Sequence, residues 1–151
     1  MNVVFAVFGS LGDMHPMNAL GIEMQKRGHH VTFAAMEFYR EKLEMLGFTF
    51  KPMRPHFDPN NKELARKLMD AQKGSELLLR EIILPNLPAM YEDLLTITED
   101  ADLLISTEVV FAARSVVEKT GIKWVTTTLA PGTFLSAHDP FVPPTSILFR
   151  H

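Results

Sequence analysis

The sequence predicts an α/β fold, a Rossmann-like open and mostly parallel sheet with helices on both faces. Three observations predict it. Short runs rich in β-branched and aromatic residues alternate with segments of helical spacing. Glycines stand where helices should end, and 46% of the residues are hydrophobic, which is enough to bury a core. The 151 residues match one ordinary domain, so we expect a single domain over 1–151.

The first third of the chain has the pattern of strand, helix and strand. The continuous apolar run over 3–8 predicts a strand covered on both faces, as in a parallel sheet. A glycine turn over 9–13 follows, and we expect Pro16 to lie in the first turn of the next helix, where its missing N–H costs nothing. Gly28 should end that helix. The next elements, in order, are a strand over 30–36, a helix over 37–46 that Gly47 ends, and a short strand over 48–50.

The rest of the chain alternates less regularly. Residues 52–61 form a loop with three prolines, and residues 62–73 a helix. A helical pattern over 75–98 contains Pro85 and Pro88, each of which should bend or end the helix. The last regular elements, in order, are a strand over 102–106, a helix over 109–119 that Gly121 ends, and a strand over 124–128. The proline-rich end of the chain argues against regular structure there.

Composition narrows the classes of function. The net charge of −3 is small and spread along the chain, so no basic stripe suggests binding to nucleic acid. Cysteine is absent, and the six histidines lack metal-ligand spacing, so we expect no metal site. No apolar run approaches the roughly 18 residues that span a bilayer, and the N-terminus does not have the pattern of a signal peptide. We therefore expect a cytoplasmic protein.

The turn after the first strand is the most informative stretch. Gly9 and Gly12 allow a tight turn at the carboxyl end of a buried strand, which is where open α/β sheets bind ligands. The turn is not a dinucleotide fingerprint, because Leu11 stands where G-x-G-x-x-G needs its second glycine. Asp13 would also repel a pyrophosphate there. This spacing argues against a nucleotide-dependent oxidoreductase.

Asp13 has two interpretations from the residues alone. It can cap the following helix by accepting a backbone N–H, a contribution of about 1 kcal/mol. It can also act as a general base that takes a proton from a bound hydroxyl. The two roles are compatible. His15 is a second and weaker candidate base, because imidazole titrates near neutral pH but usually needs a carboxylate to fix its tautomer.

The order of residues in this opening segment carries a family resemblance. The segment runs Gly9-Ser10-Leu11-Gly12-Asp13-Met14-His15-Pro16 and continues to Arg27-Gly28-His29 and Val31-Thr32. It resembles the opening of GT-B glycosyltransferases, in particular the group that acts on sterols, macrolides and glycopeptide aglycones. Members of that group begin with a strand, a G-S/T-x-G-D-x-x-P turn and a helix that ends in R-G-H-x-V. The whole chain fits the group's N-terminal, acceptor-binding domain, and the opening motif is its specific part.

The resemblance implies half of a two-domain enzyme. A base that corresponds to Asp13 takes the proton of an acceptor hydroxyl, which attacks the anomeric carbon with inversion. The nucleotide sugar, such as UDP-glucose, is a co-substrate held by a C-terminal domain, so no cofactor is implied. That domain is missing from the 151 residues, and even the first domain is expected to be incomplete. We expect a fragment or a separately encoded half that is inactive alone.

The implied partners are small molecules and the other half. The acceptor is expected to be lipophilic, sterol- or polyketide-like, and the donor-binding domain to lie in the same or a separate chain. Apolar surface that this domain would cover should favour self-association of the chain, and a peripheral membrane contact stays open. The expected acceptor-binding residues are Ser10, Leu11, Gly12, Thr107, Glu108, Val109, Pro131, Gly132 and Phe134, with Phe141 able to close the cleft. In plant relatives an acidic partner of a catalytic histidine falls near Thr107 and Glu108.

The stretch over 52–98 has two interpretations. It is rich in flexible and aliphatic side chains, which would suit either the wall of an acceptor pocket for a lipophilic aglycone or an ordinary helix core. The residues concerned are Met53, Phe57, Leu68, Met69, Leu77, Leu78, Leu79, Ile82, Ile83, Leu84 and Met90. The alternative function for the whole chain is a non-catalytic, flavodoxin-like binding or regulatory module, in which the glycines serve only the bend and Asp13 only the cap.

Overall fold

The computed structural model of the protein describes residues 1–58, 61–70, 72–130 and 138. The strands are β1 (Asn2–Ala6), β2 (His30–Ala35), β3 (Thr49–Pro52), β4 (Leu103–Thr107) and β5 (Lys123–Thr127). The helices are α1 (Leu11–Lys26), α2 (Arg40–Met45), α3 (Lys62–Leu68), α4 (Gly74–Leu77), α5 (Leu84–Ile97) and α6 (Ala112–Thr120). A 3₁₀ turn spans Glu37–Tyr39, and a π-helical segment spans Leu78–Ile83.

The five strands form one parallel sheet in the order β3-β2-β1-β4-β5. Right-handed crossovers place α1 and α2 on one face of the sheet. After β3 the chain crosses to β4, which pairs with β1 on the side opposite β2. Helices α5 and α6 therefore lie on the other face of the sheet, where they pack against each other. The predicted fold class is therefore confirmed. The described helices are all too short or too polar to span a lipid bilayer.

Strand β1 is the centre of the core, as its apolar run predicts. Val3 pairs with Val31 of β2 and with Leu103 of β4. Every residue of β1 after Asn2 is buried, and Phe5 stacks on Phe33 with ring centroids 5.0 Å apart. The carboxyl ends of β1 and β4 flank the point where the strand order reverses, which is the usual ligand crevice of such sheets.

The start of α1 differs from the sequence expectation. The helix begins at Leu11, because the Ser10 hydroxyl caps it by accepting the Gly12 N–H at 3.1 Å. Asp13 is thus the third helical residue and not a residue before the helix, which corrects its expected capping position. Pro16 lies in the second turn, where it removes a hydrogen bond that the Gly12 carbonyl would otherwise receive. The end of α1 is as predicted, since Gly28 has φ +79° and follows the C-cap.

The prolines of the long helical stretch do not break it. Helix α4, the π-helical segment and α5 follow one another without interruption, so of the expected bend or end at Pro85 and Pro88 the end is wrong. The π-helical segment ends at Ile83, two residues before Pro85. The side-chain amide of Asn86 also donates to the Ile82 carbonyl at 2.8 Å. The helix changes from α to π and back to α before Pro85, and it continues past both prolines.

Candidate active site

A cavity of about 340 Å³ lies beside the carboxyl ends of β1 and β4. The loop after β1 and the start of α1 form one side of it, Val109 follows β4, and residues after β3 form the rest. Its described apolar lining residues are Phe8, Phe57, Leu64, Ala65, Leu68, Met69, Leu78 and Val109, and its polar ones are Ser10, Asp13 and Asp58. The site is therefore a mainly apolar pocket with a few polar groups, as small-molecule sites commonly are.

The Asp13 carboxylate is held by one of its two oxygens. Oδ2 accepts hydrogen bonds from the Ser10 backbone N–H at 2.7 Å and from the Ser10 hydroxyl at 3.1 Å. These bonds are half of a capping box, which also satisfies backbone donors at the helix start. In the part of the chain that the structure describes, no hydrogen bond reaches Oδ1. Asp13 is partly exposed and lines the cavity, so the carboxylate is both fixed and accessible.

Gly9 makes this arrangement possible. Its φ of +142° is a conformation that favours glycine. A Cβ at Gly9 would lie 2.3 Å from Asp13 Oδ2 and 2.7 Å from its Cγ, so any side chain would displace the carboxylate. Glycine is required here for close approach as well as for backbone conformation.

Tyr39, which follows the neighbouring strand β2, donates a hydrogen bond to the same loop. It follows β2 in the 3₁₀ turn, is 2% exposed, and its hydroxyl donates to the Gly9 carbonyl at 3.0 Å. Burial raises the pKa of Tyr39, and the negative charge of Asp13 raises it further. The phenol therefore stays protonated and continues to donate to Gly9.

Sequence comparison places the chain in a known family. Residues 3–138 match the family model of the glycosyltransferase family 28 N-terminal domain. The chain belongs to this family. The resemblance noted from the opening motif is thereby confirmed.

Individual relatives of this family 28 domain are longer than the chain. An uncharacterized protein of Mycobacterium bovis is 32% identical over 111 residues, which are 70% of this chain and 26% of that protein. The 4'-demethylrebeccamycin synthase of Lentzea aerocolonigenes is 30% identical over 127 residues, 78% of this chain and 30% of the synthase. The chain thus spans less than a third of the length of these two relatives.

A solved structure supports the same fold. The glycosyltransferase SsfS6 of Streptomyces sp. SF2575 superposes with a TM-score of 0.65 at 20% identity, over 85% of this chain and 39% of that one. It has also been solved with thymidine diphosphate, and that structure superposes with a TM-score of 0.60 over 85% of this chain and 38% of that one. At this identity the match concerns the fold alone.

The family 28 domain brings some of the predicted site residues together and separates others. Ser10, Asp13 and Val109 line the cavity. His15 is exposed and does not line it, and its Nε2 lies 3.1 Å from Lys42 Nζ. Leu11 also lies outside the cavity, in a second groove of about 450 Å³ between α1 and α2. Gly12 contributes its N–H to the Ser10 cap. Their assigned roles remain predictions.

The positions after β4 and β5 are described in part. Thr107 is buried, and its hydroxyl oxygen is 3.5 Å from the Phe8 N–H. Glu108 has a buried Oε2, which accepts no hydrogen bond from the described part of the chain. Pro131, Gly132, Phe134 and Phe141 lie outside the described residues.

The apolar stretch after β3 divides between its two interpretations. Phe57, Leu68, Met69 and Leu78 line the cavity. In contrast, Met53, Ile83 and Met90 are fully buried core residues, and Leu79 and Leu84 are exposed. Some of these side chains thus belong to a cavity wall and others to the helix core, and that the wall binds an acceptor stays a prediction.

Ion pairing fixes the loop that carries Phe57. The Arg54 guanidinium donates to both carboxylate oxygens of Asp93 on α5, at 2.9 and 2.7 Å, and the Arg54 backbone N–H donates to Oδ2 at 2.8 Å. Burial acts to raise the pKa of Asp93, but the hydrogen bonds and charge of Arg54 outweigh it and lower that pKa. Phe57 then meets Phe8 edge-on, with ring centroids 5.9 Å apart.

Sequence reasoning missed Tyr39 beside the site and four of its lining residues, namely Phe8, Asp58, Leu64 and Ala65. Tyr39 and Phe8 had a usable signal, because they follow β2 and β1 at the same edge of the sheet as Asp13. The positions of Asp58, Leu64 and Ala65 depend on how the chain after β3 folds back, which no local pattern encodes. Among the described residues, no three His, Cys, Asp or Glu side chains converge as metal ligands would.

Proposed function

We propose that this family 28 domain binds the acceptor in an inverting glycosyl transfer from a nucleotide sugar to a hydroxyl group. The acceptor is a lipophilic alcohol, sterol- or polyketide-like, held in the apolar cavity. One observation carries the proposal: the Asp13 carboxylate lines that cavity with one oxygen anchored by Ser10 and the other without a hydrogen bond in the described chain. Family membership supports the reaction class.

The proposed chemistry uses Asp13 as a general base. Oδ1 accepts the proton of the acceptor hydroxyl while the hydroxyl oxygen forms a bond to the anomeric carbon. The bond between that carbon and the diphosphate breaks, and the nucleoside diphosphate leaves with its electron pair. Anchoring of Oδ2 by Ser10 keeps the carboxylate oriented, so little reorganisation is needed when the acceptor binds.

The donor would be held by a second domain, in the same or another chain. No Gly-rich phosphate loop occurs in the sequence, and Asp13 would repel a diphosphate at the first turn. SsfS6, which has the same fold in this region, has been solved with thymidine diphosphate. That structure supports a nucleoside-diphosphate sugar as the donor class, with UDP-glucose as one member. We expect the 151 residues alone to transfer no sugar.

The test is glycosyl transfer by the Asp13→Asn variant in the presence of the donor-binding domain. An amide oxygen still accepts the Ser10 N–H, so the helix cap survives, but the base is lost. We expect turnover to fall at least about 100-fold with little change in melting temperature. Asp70→Asn is the matched control, because the Asp70 carboxylate also accepts backbone N–H groups, from Gln72 and Lys73, but does not line the cavity; this variant should leave turnover unchanged.

Unchanged turnover in Asp13→Asn would leave only the capping role and contradict the proposed base. If the wild-type domain also failed to bind any lipophilic alcohol, the alternative of a non-catalytic module would be favoured instead. Binding of alcohols can be measured by calorimetry without a donor, so the two outcomes are separable.

A further inference from the structure

Gly9 and Ser10 share one peptide unit, and a side chain holds each end of it. The Tyr39 hydroxyl donates to the carbonyl oxygen of this unit at 3.0 Å, and its N–H donates to Asp13 Oδ2 at 2.7 Å. Because a peptide unit is planar, the direction of the carbonyl fixes the direction of the N–H. Tyr39 is therefore linked to the Asp13 carboxylate through a single rigid group.

Glycine does not hold this peptide unit in place by itself. Gly9 has φ +142°, and without a Cβ its backbone has more conformational freedom than that of any other residue type. The same absence of a Cβ is what lets the Asp13 carboxylate approach. The Tyr39 hydroxyl supplies the restraint that glycine lacks, since the peptide unit cannot turn without breaking that hydrogen bond.

Tyr39 can restrain the loop because its own position is fixed. Its backbone N–H donates to the Met36 carbonyl at 3.0 Å in the 3₁₀ turn after β2, and its side chain is buried. Strand β2 pairs with β1, and the Val7 N–H extends this pairing by donating to the Ala34 carbonyl at 2.9 Å, two residues before Gly9. Both partners of the hydrogen bond are thus anchored to the sheet.

The other end of the peptide unit lacks this protection. Ser10 is exposed and Asp13 is partly exposed, so water can compete for the hydrogen bond between them. A hydrogen bond to the carbonyl polarises a peptide unit and strengthens its N–H as a donor. The buried Tyr39 therefore supports the exposed bond in both orientation and strength.

We propose that Tyr39 is a positioning residue for the general base: its hydroxyl keeps the Asp13 carboxylate oriented for proton transfer by holding the peptide unit between them. This inference rests on the proposed function, because it concerns the base of the same reaction. Tyr39 is not among the described residues that line the cavity, so it acts on the chemical step and not on acceptor binding.

The test is Tyr39→Phe, which removes the hydroxyl and keeps the ring. With the donor-binding domain present, we expect turnover to fall about tenfold, while acceptor affinity measured by calorimetry changes by less than about twofold. In NMR spectra of the 151-residue chain, the amide proton of Ser10 should move upfield, because its hydrogen bond to Asp13 lengthens.

Thr98→Val is the matched control for the loss of a buried hydroxyl. Thr98 is buried, and its hydroxyl also donates to a backbone carbonyl, that of Leu94, at 2.7 Å. Both Thr98→Val and Tyr39→Phe should lower the melting temperature by about 3 °C. Only Tyr39→Phe should lower turnover and move the Ser10 signal.

A double variant separates positioning from a general loss of structure. In the Asp13→Asn background, Tyr39→Phe should change the residual turnover by less than about twofold, since the carboxylate through which the hydroxyl acts is gone. A residue with a merely structural role would lower turnover by the same factor in both backgrounds.

The outcomes separate this inference from the proposed function. Full turnover in Tyr39→Phe, an unmoved Ser10 signal, or an equal fall in turnover in both backgrounds overturns the role of Tyr39 and leaves Asp13 as the base. Unchanged turnover in Asp13→Asn contradicts the base itself, and the role of Tyr39 with it.

Discussion

The two sides of the cavity are built in different ways. At the β1–α1 turn, Gly9, Ser10, Asp13 and Tyr39 are connected by short hydrogen bonds and by a contact that admits no side chain. On the other side, α3 is seven residues long and has no buried residue, yet three of its side chains line the cavity. The side that carries Asp13 is therefore fixed at the edge of the sheet, whereas the opposite side, the outer wall formed by α3, packs only lightly.

This difference separates two properties of the proposed enzyme. A fixed carboxylate is what general-base chemistry requires, because small displacements cost rate. Side chains of a lightly packed wall can be substituted with little loss of folding free energy, so such a wall can adapt to different acceptors. We expect substitutions at the turn to affect turnover and stability together, and substitutions at the wall to affect mainly acceptor affinity.

The largest effect is expected from Gly9→Ala. The new Cβ would lie 2.3 Å from Asp13 Oδ2, which would push the carboxylate away from Ser10, and alanine is strained at φ +142°. Together these effects should lower the free energy of unfolding by about 3 kcal/mol and turnover by about 100-fold or more. Denaturant unfolding and steady-state kinetics with the donor domain measure both.

Gly28→Ala is the control for Gly9→Ala. Gly28 also has a positive φ, +79°, but no atom lies within 4 Å of its would-be Cβ, and it is outside the cavity. Backbone strain alone should cost about 1 kcal/mol and leave turnover unchanged. If the two variants had the same stability and the same turnover, the close approach of Gly9 to Asp13 would not matter for turnover.

The second-largest effect is expected from Gly74→Ala, at the corner between α3 and α4. A Cβ there would lie 2.1 Å from the Leu68 carbonyl oxygen, which is backbone and cannot rotate away. We expect a loss of about 2 kcal/mol and a rise in the KM for the acceptor that exceeds any fall in kcat, because Leu68 lines the cavity. Ser75→Ala, at the next exposed position of α4, should change neither stability nor KM appreciably. A fall in kcat without a rise in KM would contradict the division between the two sides.

A smaller effect with a pH signature is expected from Asp93→Asn. The lowered pKa of Asp93 means that its pairing with Arg54 stabilises the fold above the ordinary aspartate pKa of about 4 and is lost as pH falls through the lower folded-state value. At pH 7 the variant should be less stable by about 1 kcal/mol, and this deficit should shrink in acid. Melting temperatures of both proteins from pH 7 down to about pH 3 measure it.

Glu92→Gln is the control for Asp93→Asn. Glu92 is more exposed than Asp93, and its carboxylate is 3.5 Å from the same guanidinium. Its loss should cost less than about 0.5 kcal/mol at any pH. A deficit of Asp93→Asn that stayed constant into acid would show that pairing with Arg54 does not fix this loop through charge.

The same division explains what the sequence could predict. Strand β1, the glycine turn and the Gly28 helix end depend on local patterns, and the opening motif lies in that part of the chain. The start of α1 was misjudged because Asp13 and Ser10 are both good capping residues, and only the geometry shows that Ser10 is the N-cap. The resemblance suggested a base at Asp13, and the proposal of that role adds the position of its carboxylate in the cavity.

The residues of the outer wall could not be predicted from local sequence patterns in the same way. Helix α3 has few apolar contacts of its own, and its position depends on the corner at Gly74 and on the continuous helix through Pro85. Prolines normally predict a break, and the π-helical segment that avoids one has no sequence signature we can name. Residues such as Asp58 and Leu64 therefore enter the site through tertiary packing alone.

The smallest effect on stability is expected from Met69→Ala, directly after α3. Met69 is 85% exposed although it lines the cavity, so its truncation should lower the free energy of unfolding by less than about 0.5 kcal/mol. A bound acceptor would cover part of the thioether side chain, and losing that contact should raise the acceptor KM about fivefold, equivalent to about 1 kcal/mol. Met45→Ala is a close control, because Met45 is 81% exposed and lines the second groove and not the cavity. If both variants left the acceptor KM unchanged, Met69 of the outer wall would not contact the acceptor. The acceptor would then occupy only part of the cavity.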